Sequence, residues 1–158
     1  MNNDGFDETP RRANIFTHTG FRMGALGILL MALVRGFFLL LYPEKVDGNL
    51  LTWLIQWVLY LILARVAAER HYDSQQRSLE SLRGVSGAGV GAALTTSVGV
   101  WALIILTALV MDANGVQIVM KPFSVCAWII LDVLLALGFG SWSGGRVTKK
   151  YQNFSGWQ

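Results

Sequence analysis

Residues 23–42 read Met-Gly-Ala-Leu-Gly-Ile-Leu-Leu-Met-Ala-Leu-Val-Arg-Gly-Phe-Phe-Leu-Leu-Leu-Tyr, and this stretch decides the fold class of the chain. An α-helix rises about 1.5 Å per residue, so an apolar run of about 20 residues is long enough to cross the hydrocarbon core of a membrane. The run contains one charged residue, Arg35. A charge at the centre of a membrane helix costs at least roughly 2.5 kcal/mol, so Arg35 requires a polar partner.

The composition of the whole chain is that of a membrane protein. Of its 158 residues, 53% are hydrophobic and 15% are charged, and the mean hydropathy is +0.45. Soluble domains carry about 25% charged residues. This length accommodates one helical bundle and leaves no room for a second folded domain. The single cysteine, Cys126, excludes an intrachain disulfide and a cysteine-based metal site. We expect no cleavable signal peptide, because the residues before the first apolar run are polar.

Four apolar runs predict an all-α fold, a four-transmembrane-helix bundle made of two hairpins. The spans are predicted at about 22–42, 50–68, 86–111 and 122–143. Residues 1–21 are predicted to form a polar N-terminal segment with a short interfacial helix, and residues 144–158 form a basic and aromatic tail. The second span is followed by good helix formers, with no glycine or proline before Gly84. Residues 69–83 are therefore predicted to extend this helix into the cytoplasm.

The distribution of lysine and arginine predicts the orientation in the membrane. Three of these residues precede the first span, four lie between residues 65 and 87, and three lie in the tail. The two remaining connections contain one each, Lys45 and Lys121. Because basic residues favour the cytoplasmic side, we expect both termini and the central connection to be cytoplasmic. The predicted location is the plasma membrane, the inner membrane in a bacterium.

Three polar residues on different spans are predicted to lie at a similar depth. Counted from the span ends at about 1.5 Å per residue, Arg35 and Gln56 lie roughly 10 Å and Asp132 roughly 15 Å into the membrane. This layer has the composition of an anion-binding or proton-coupled transport site. It is equally the composition of a structural ion pair between Arg35 and Asp132, with Gln56 as third partner. The ion pair is favoured because it accounts for both charges without a substrate. A third alternative pairs one charge with a different subunit.

An aromatic stripe shares one face of the second span with Gln56. Its members are Trp53, Trp57 and Tyr60, and the four residues have the helical spacing i, i+3, i+4 and i+7. Such a face can hold a quinone, a pigment or a lipid headgroup. It is more often an interfacial anchor and a packing surface, so no cofactor is predicted.

Small residues spaced four apart predict where the third and fourth spans touch. Gly87 and Gly91 form one Gly-x-x-x-Gly motif, and Gly140 and Gly144 form another. Glycines at this spacing let two helix backbones approach closely within a lipid bilayer. We therefore expect close packing of these two spans at their cytoplasmic ends.

The tail combines basic and aromatic residues and is predicted to anchor the protein on the anionic inner leaflet of the membrane. A docking surface for a partner protein is the alternative. The anchor residues are Arg146, Lys149, Lys150, Tyr151, Phe154 and Trp157.

The small number of basic residues in the chain argues against nucleic-acid binding. Neither His18 nor His71 has a further metal ligand at suitable spacing, and no nucleophile lies beside a matching base. No metal site and no enzymatic activity are therefore predicted.

Together these features predict a non-catalytic integral membrane protein, an accessory or assembly subunit that packs against a larger membrane complex. Its predicted partners are the lipid bilayer and either other membrane subunits or copies of itself. The alternative is a small oligomeric transporter or channel that uses Arg35, Gln56 and Asp132. The first function predicts co-purification with unlike chains, and the second predicts a symmetric homo-oligomer with water at Asp132.

Overall fold

The computed structural model of the protein describes residues 17–42, 50–74, 82–115 and 122–155. Within these ranges the chain forms helices and turns and contains no strand. The helices are α1 (His18–Leu41), α2 (Leu50–Ser74), α3 (Leu82–Ala113) and α4 (Pro122–Ser155). All four are long and apolar enough to cross a membrane, which confirms the predicted all-helical, multi-pass fold.

Two helices extend well beyond the apolar spans predicted for them. α2 continues past residue 68 to Ser74, and α4 continues through most of the predicted tail to Ser155. A helix needs apolar residues only while it lies in hydrocarbon, so hydropathy marks the end of the apolar part and not the end of the helix. Residues 75–81 of the predicted cytoplasmic extension, and the predicted interfacial helix before residue 17, lie outside the described residues.

The start of α1 is fixed by a local hydrogen bond. The hydroxyl of Thr17 accepts a hydrogen bond from the backbone N–H of Gly20 at 3.1 Å, with Thr17 in an extended conformation. This is an N-cap, which satisfies one of the N–H groups left free at a helix start. The helix therefore begins at His18, before the apolar run itself.

α2 and α3 lie between α1 and α4, and each of the two flanking helices packs against both central ones. Gly20 faces Ala88 and Gly27 faces Thr96, so α1 and α3 run in the same direction. Gly27 also faces Leu63, whereas Arg35 contacts Gln56, so α1 and α2 run in opposite directions. Small residues at these crossings permit short distances between the helix backbones.

Bulky side chains fill one end of the core, and its middle combines one tyrosine with small side chains. The first cluster is buried around Met31, Trp53, Val100, Trp101 and Ile104. The middle contains Tyr60 with Ala93 and Ala136. The outer surface is strongly apolar, with Leu40 84% and Leu33 66% exposed. Because a membrane helix meets lipid at its outer face, these exposed leucines are placed for contact with hydrocarbon.

Candidate functional site

Arg35, Gln56 and Asp132 meet inside the bundle. Arg35 Nη2 donates a hydrogen bond to Gln56 Oε1 at 3.0 Å, and Gln56 Nε2 donates one to Asp132 Oδ2 at 3.0 Å. Gln56 therefore bridges the cation on α1 and the carboxylate on α4. The amide side chain suits this position because it presents an acceptor to the arginine and a donor to the aspartate.

Two hydroxyl groups complete the surroundings of the carboxylate. Tyr60 donates a hydrogen bond to Asp132 Oδ2 at 2.8 Å, and Ser97 Oγ donates one to the same oxygen at 2.7 Å. Gln56 Nε2 also contacts the Tyr60 hydroxyl oxygen. We call Arg35, Gln56, Tyr60, Ser97 and Asp132 the polar network. Each of the four helices contributes to it, since Ser97 lies on α3.

The polar network is almost completely removed from solvent. Gln56, Tyr60 and Ser97 have no exposed surface, Asp132 is 1% exposed and Arg35 is 7% exposed. Buried charges require opposite charges or hydrogen bonds, and here neutral donors surround one carboxylate oxygen. The other oxygen of Asp132, Oδ1, has no hydrogen-bond partner among the described residues.

The aromatic stripe is used to hold the network in place. The guanidinium carbon of Arg35 lies 4.8 Å from the centre of the Trp53 ring, within the range of a cation–π interaction. Trp53 in turn lies against Trp101 at 5.5 Å and stacks on Trp128 at 5.8 Å between ring centres. Trp57 is half-buried and packs against both neighbouring core clusters. The stripe thus contacts protein side chains through Trp53, Trp57 and Tyr60.

A small cavity of about 110 Å³ lies between α1 and α3 beside the network. Arg35 and Gly36 line it from α1, and Ile104 and Thr107 line it from α3. The cavity reaches the cation of the network, and Asp132 is not among its lining residues.

The predicted glycine pair of α4 lies at a close approach to α3. A Cβ atom added to Gly140 would lie 2.8 Å from Val90 Cα, and one added to Gly144 would lie 2.9 Å from Ser86 Cα. Such distances are shorter than van der Waals contact, so a larger residue at either position would force the helices apart. Ser143 Oγ adds a hydrogen bond to Leu61 O of α2 at 3.0 Å.

The α3 side of this contact includes a glycine outside the predicted motif. Gly89 O lies 3.2 Å from the position of a Gly140 Cβ. Gly87 and Gly91 are buried. Residues two positions apart on a helix point about 200° apart, so Gly89 lies on a different side of α3 from Gly87 and Gly91.

The predicted membrane anchor is divided between two surroundings. Tyr151 stacks on Tyr72 of α2, with ring centres 4.0 Å apart and planes 20° apart. Its ring is therefore packed against protein. Arg146 lies over the Trp142 ring at 3.9 Å, while Lys149 is exposed. The side chain of Phe154, and Trp157, lie outside the described residues.

Sequence reasoning identified four of the five residues of the polar network, placing Tyr60 in the stripe, and it missed Ser97. The only signal at this position is a run of three hydroxyl residues, Thr95-Thr96-Ser97. Such residues are frequent in membrane helices, because they can bond their own backbone; Thr96 does so through Ala92 O at 2.9 Å. Among the described residues no group of His, Cys, Asp and Glu has the arrangement of a metal site.

The fold and the polar network define the class of the protein: a multi-pass helical membrane protein whose intramembrane cation and carboxylate are bridged inside one chain. Comparisons with protein-family models, with curated proteins and with solved structures found no match.

Proposed function

We propose that this chain is a non-catalytic integral membrane protein, an accessory or assembly subunit that packs against a larger membrane complex. The observation that supports this proposal is the polar network. It joins α1, α2, α3 and α4 through one carboxylate oxygen, which accepts hydrogen bonds from Gln56, Tyr60 and Ser97. A network of this kind holds four helices in one arrangement and offers a substrate little access to the carboxylate.

In this role the protein acts through its outer surfaces. Buried polar groups can specify one packing arrangement at some cost in stability. In an accessory subunit, such a network would keep the helices, and therefore the outer surface that contacts other subunits, in one arrangement. Large apolar side chains are exposed along the helices, including Leu109 at 63% and Leu134 at 60%. These faces can pack against lipid or against the apolar helices of other membrane subunits or of further copies of this chain.

The proposed orientation places both termini and residues 69–83 in the cytoplasm of a bacterial cell, with the helices forming two hairpins in the inner membrane. The excess of lysine and arginine near those segments supports it. Labelling of Asp47→Cys and Gln76→Cys variants, each combined with Cys126→Ser, tests this orientation in intact cells. A membrane-impermeant reagent should modify the first site only. Modification of the second from outside would overturn the orientation.

Purification in mild detergent tests the proposed role. The full chain, tagged at one terminus and expressed at its natural level, should co-purify with unlike membrane proteins in a fixed ratio that is absent from untagged membranes. A cross-linkable residue at the exposed position Leu134 should capture the same chains. Recovery of a symmetric homo-oligomer without unlike chains would overturn the accessory role.

A small oligomeric transporter or channel is the second candidate, favoured by one specific observation. The cavity beside Arg35 lies next to a network whose Asp132 carries an oxygen without a hydrogen-bond partner among the described residues. A path for anions or protons through Arg35, Gln56 and Asp132 would need a cavity that reaches the cation and a carboxylate oxygen that is free to accept a proton. Flux of anions or protons into liposomes, lost on Asp132→Asn and retained in Asp112→Asn, would support this candidate.

A further inference from the structure

A groove between α2 and α4 lies on the side of the bundle where basic residues gather, away from the polar network. Its volume is about 320 Å³. Leu61, Ile62 and Trp142 line one part, which we call the apolar end. Arg65, Arg146 and Lys150 line the other part, which we call the cationic end.

The change from apolar to cationic follows the helix axes. In α2, Ile62 precedes Arg65 by about one turn, and in α4, Trp142 precedes Arg146 by about one turn. The two helices run in the same direction, because Gln56 contacts Asp132 near their starts and Tyr72 contacts Tyr151 near their ends. Both walls of the groove therefore change from apolar to cationic in the same direction. An amphiphile with an apolar tail and an anionic headgroup changes polarity along its length in the same way.

The cations at the cationic end are each positioned by a neighbouring side chain. Arg146 lies 3.9 Å above the Trp142 ring, and the Lys150 ammonium lies 5.5 Å from the Tyr151 ring centre. Arg65 Nε pairs with Glu69 Oε1 at 3.2 Å, and its side chain stays 64% exposed. Among the described residues that line the groove, Glu69 is the one acidic residue beside three basic ones, so an excess of positive charge remains for an anion.

We propose that this groove binds one anionic phospholipid. Its phosphate lies against the cationic end, and an acyl chain lies along the apolar end. Basic pockets between membrane helices near the membrane surface are suited to lipid phosphates, and guanidinium groups bind phosphate through paired N–H donors. A free phosphate ion would use only the cationic end, whereas a phospholipid uses the whole groove. This inference does not depend on the accessory role proposed above.

Native mass spectrometry of the purified full chain in zwitterionic detergent tests the proposal. Anionic phosphatidylglycerol and zwitterionic phosphatidylcholine with identical acyl chains are titrated in parallel. Phosphatidylglycerol should bind more tightly by about tenfold. The Arg65→Gln/Arg146→Gln variant should lose most of that preference. Arg70→Gln/Lys149→Gln is the matched control, because it removes two exposed cations from the same helices outside the groove. This control should keep the preference within about twofold.

Three outcomes would overturn the proposal. Equal binding of the two lipids by the unmodified chain would show that the groove does not select an anion. Equal losses in the two double variants would indicate diffuse attraction by surface charge. Complete displacement of phosphatidylglycerol by millimolar inorganic phosphate would indicate an anion site that makes no use of the acyl chain. If the groove variant does not fold, as judged by circular dichroism, Lys150→Gln and Lys149→Gln give the same contrast with one charge each.

Discussion

Replacement of the two charges of the polar network, singly and together, should show strong energetic coupling. Asp132→Leu removes the acceptor of three hydrogen bonds and leaves the buried Arg35 cation without the carboxylate of the polar network. Hydrogen bonds to a charged group contribute about 1.5–3 kcal/mol each, but the freed donors can partly pair with one another. We therefore expect a loss of roughly 3–5 kcal/mol in the free energy of unfolding, the range found when one member of a buried pair is removed.

Arg35→Leu should cost a similar amount. It removes the hydrogen bond to Gln56 and the contact with the Trp53 ring, and it leaves the carboxylate without its cation. In the double variant Arg35→Leu/Asp132→Leu only neutral polar groups remain in the network. The double variant should be more stable than either single variant, so that the coupling energy is at least about 3 kcal/mol.

Equilibrium unfolding in mixed detergent micelles, followed by circular dichroism, gives the three free energies. Asp112→Leu is a matched control, because it removes an exposed carboxylate near the end of α3. It should change the free energy by no more than about 0.5 kcal/mol. A double variant whose cost equals the sum of the single costs would refute the reasoning. A double variant that is stable but no longer binds its partners would indicate that Arg35 and Asp132 have a functional role and not only a structural one.

The remaining predictions concern packing and helix ends, and the same unfolding measurement checks each of them. Gly144→Ala should lower stability by roughly 1–3 kcal/mol, because its Cβ would lie 2.9 Å from Ser86 Cα. In the control Gly145→Ala the added Cβ meets no atom within 4 Å, so this variant should be neutral or stabilising. Equal effects of the two substitutions would contradict the α3–α4 contact. Tyr151→Ala should cost about 1–3 kcal/mol through loss of the half-buried ring stacked on Tyr72, and Asn153→Ala, on the exposed side, should be nearly neutral. Thr17→Ala should cost about 1 kcal/mol, and Thr17→Ser should not, because the serine hydroxyl can still cap α1.

The sequence was sufficient to predict the four spans and the residues of the polar layer, for one physical reason. Hydrocarbon excludes charge so strongly that Arg35 and Asp132 stand out in otherwise apolar runs, and depth along a helix can be counted from the sequence. Gln56, expected as the third partner of Arg35 and Asp132, contacts both of them. Its place between the two charges depends on the rotation of each helix about its axis, which the sequence does not give.

Helix rotation and helix length explain the contacts that the sequence did not predict. Gly87, Gly89 and Gly91 are equally small, so the sequence alone did not show that Gly89 lies against Gly140. Ser97 could not be selected among the hydroxyl residues of α3 for the same reason. The stacking of Tyr151 on Tyr72 was not predicted; it arises because α2 and α4 continue side by side beyond their apolar parts.

The sharing of the polar network among all four helices has a consequence for synthesis of the protein. Gln56 follows Arg35 by 21 positions, and Asp132 follows Gln56 by another 76. At roughly 5–20 residues per second, the cation emerges from the ribosome at least about 5 s before its carboxylate. During this interval Gln56 is already present in the first hairpin and can accept the hydrogen bond from Arg35. The glutamine thus serves the newly inserted first two helices as a temporary neutral partner, before it becomes the bridge of the finished bundle.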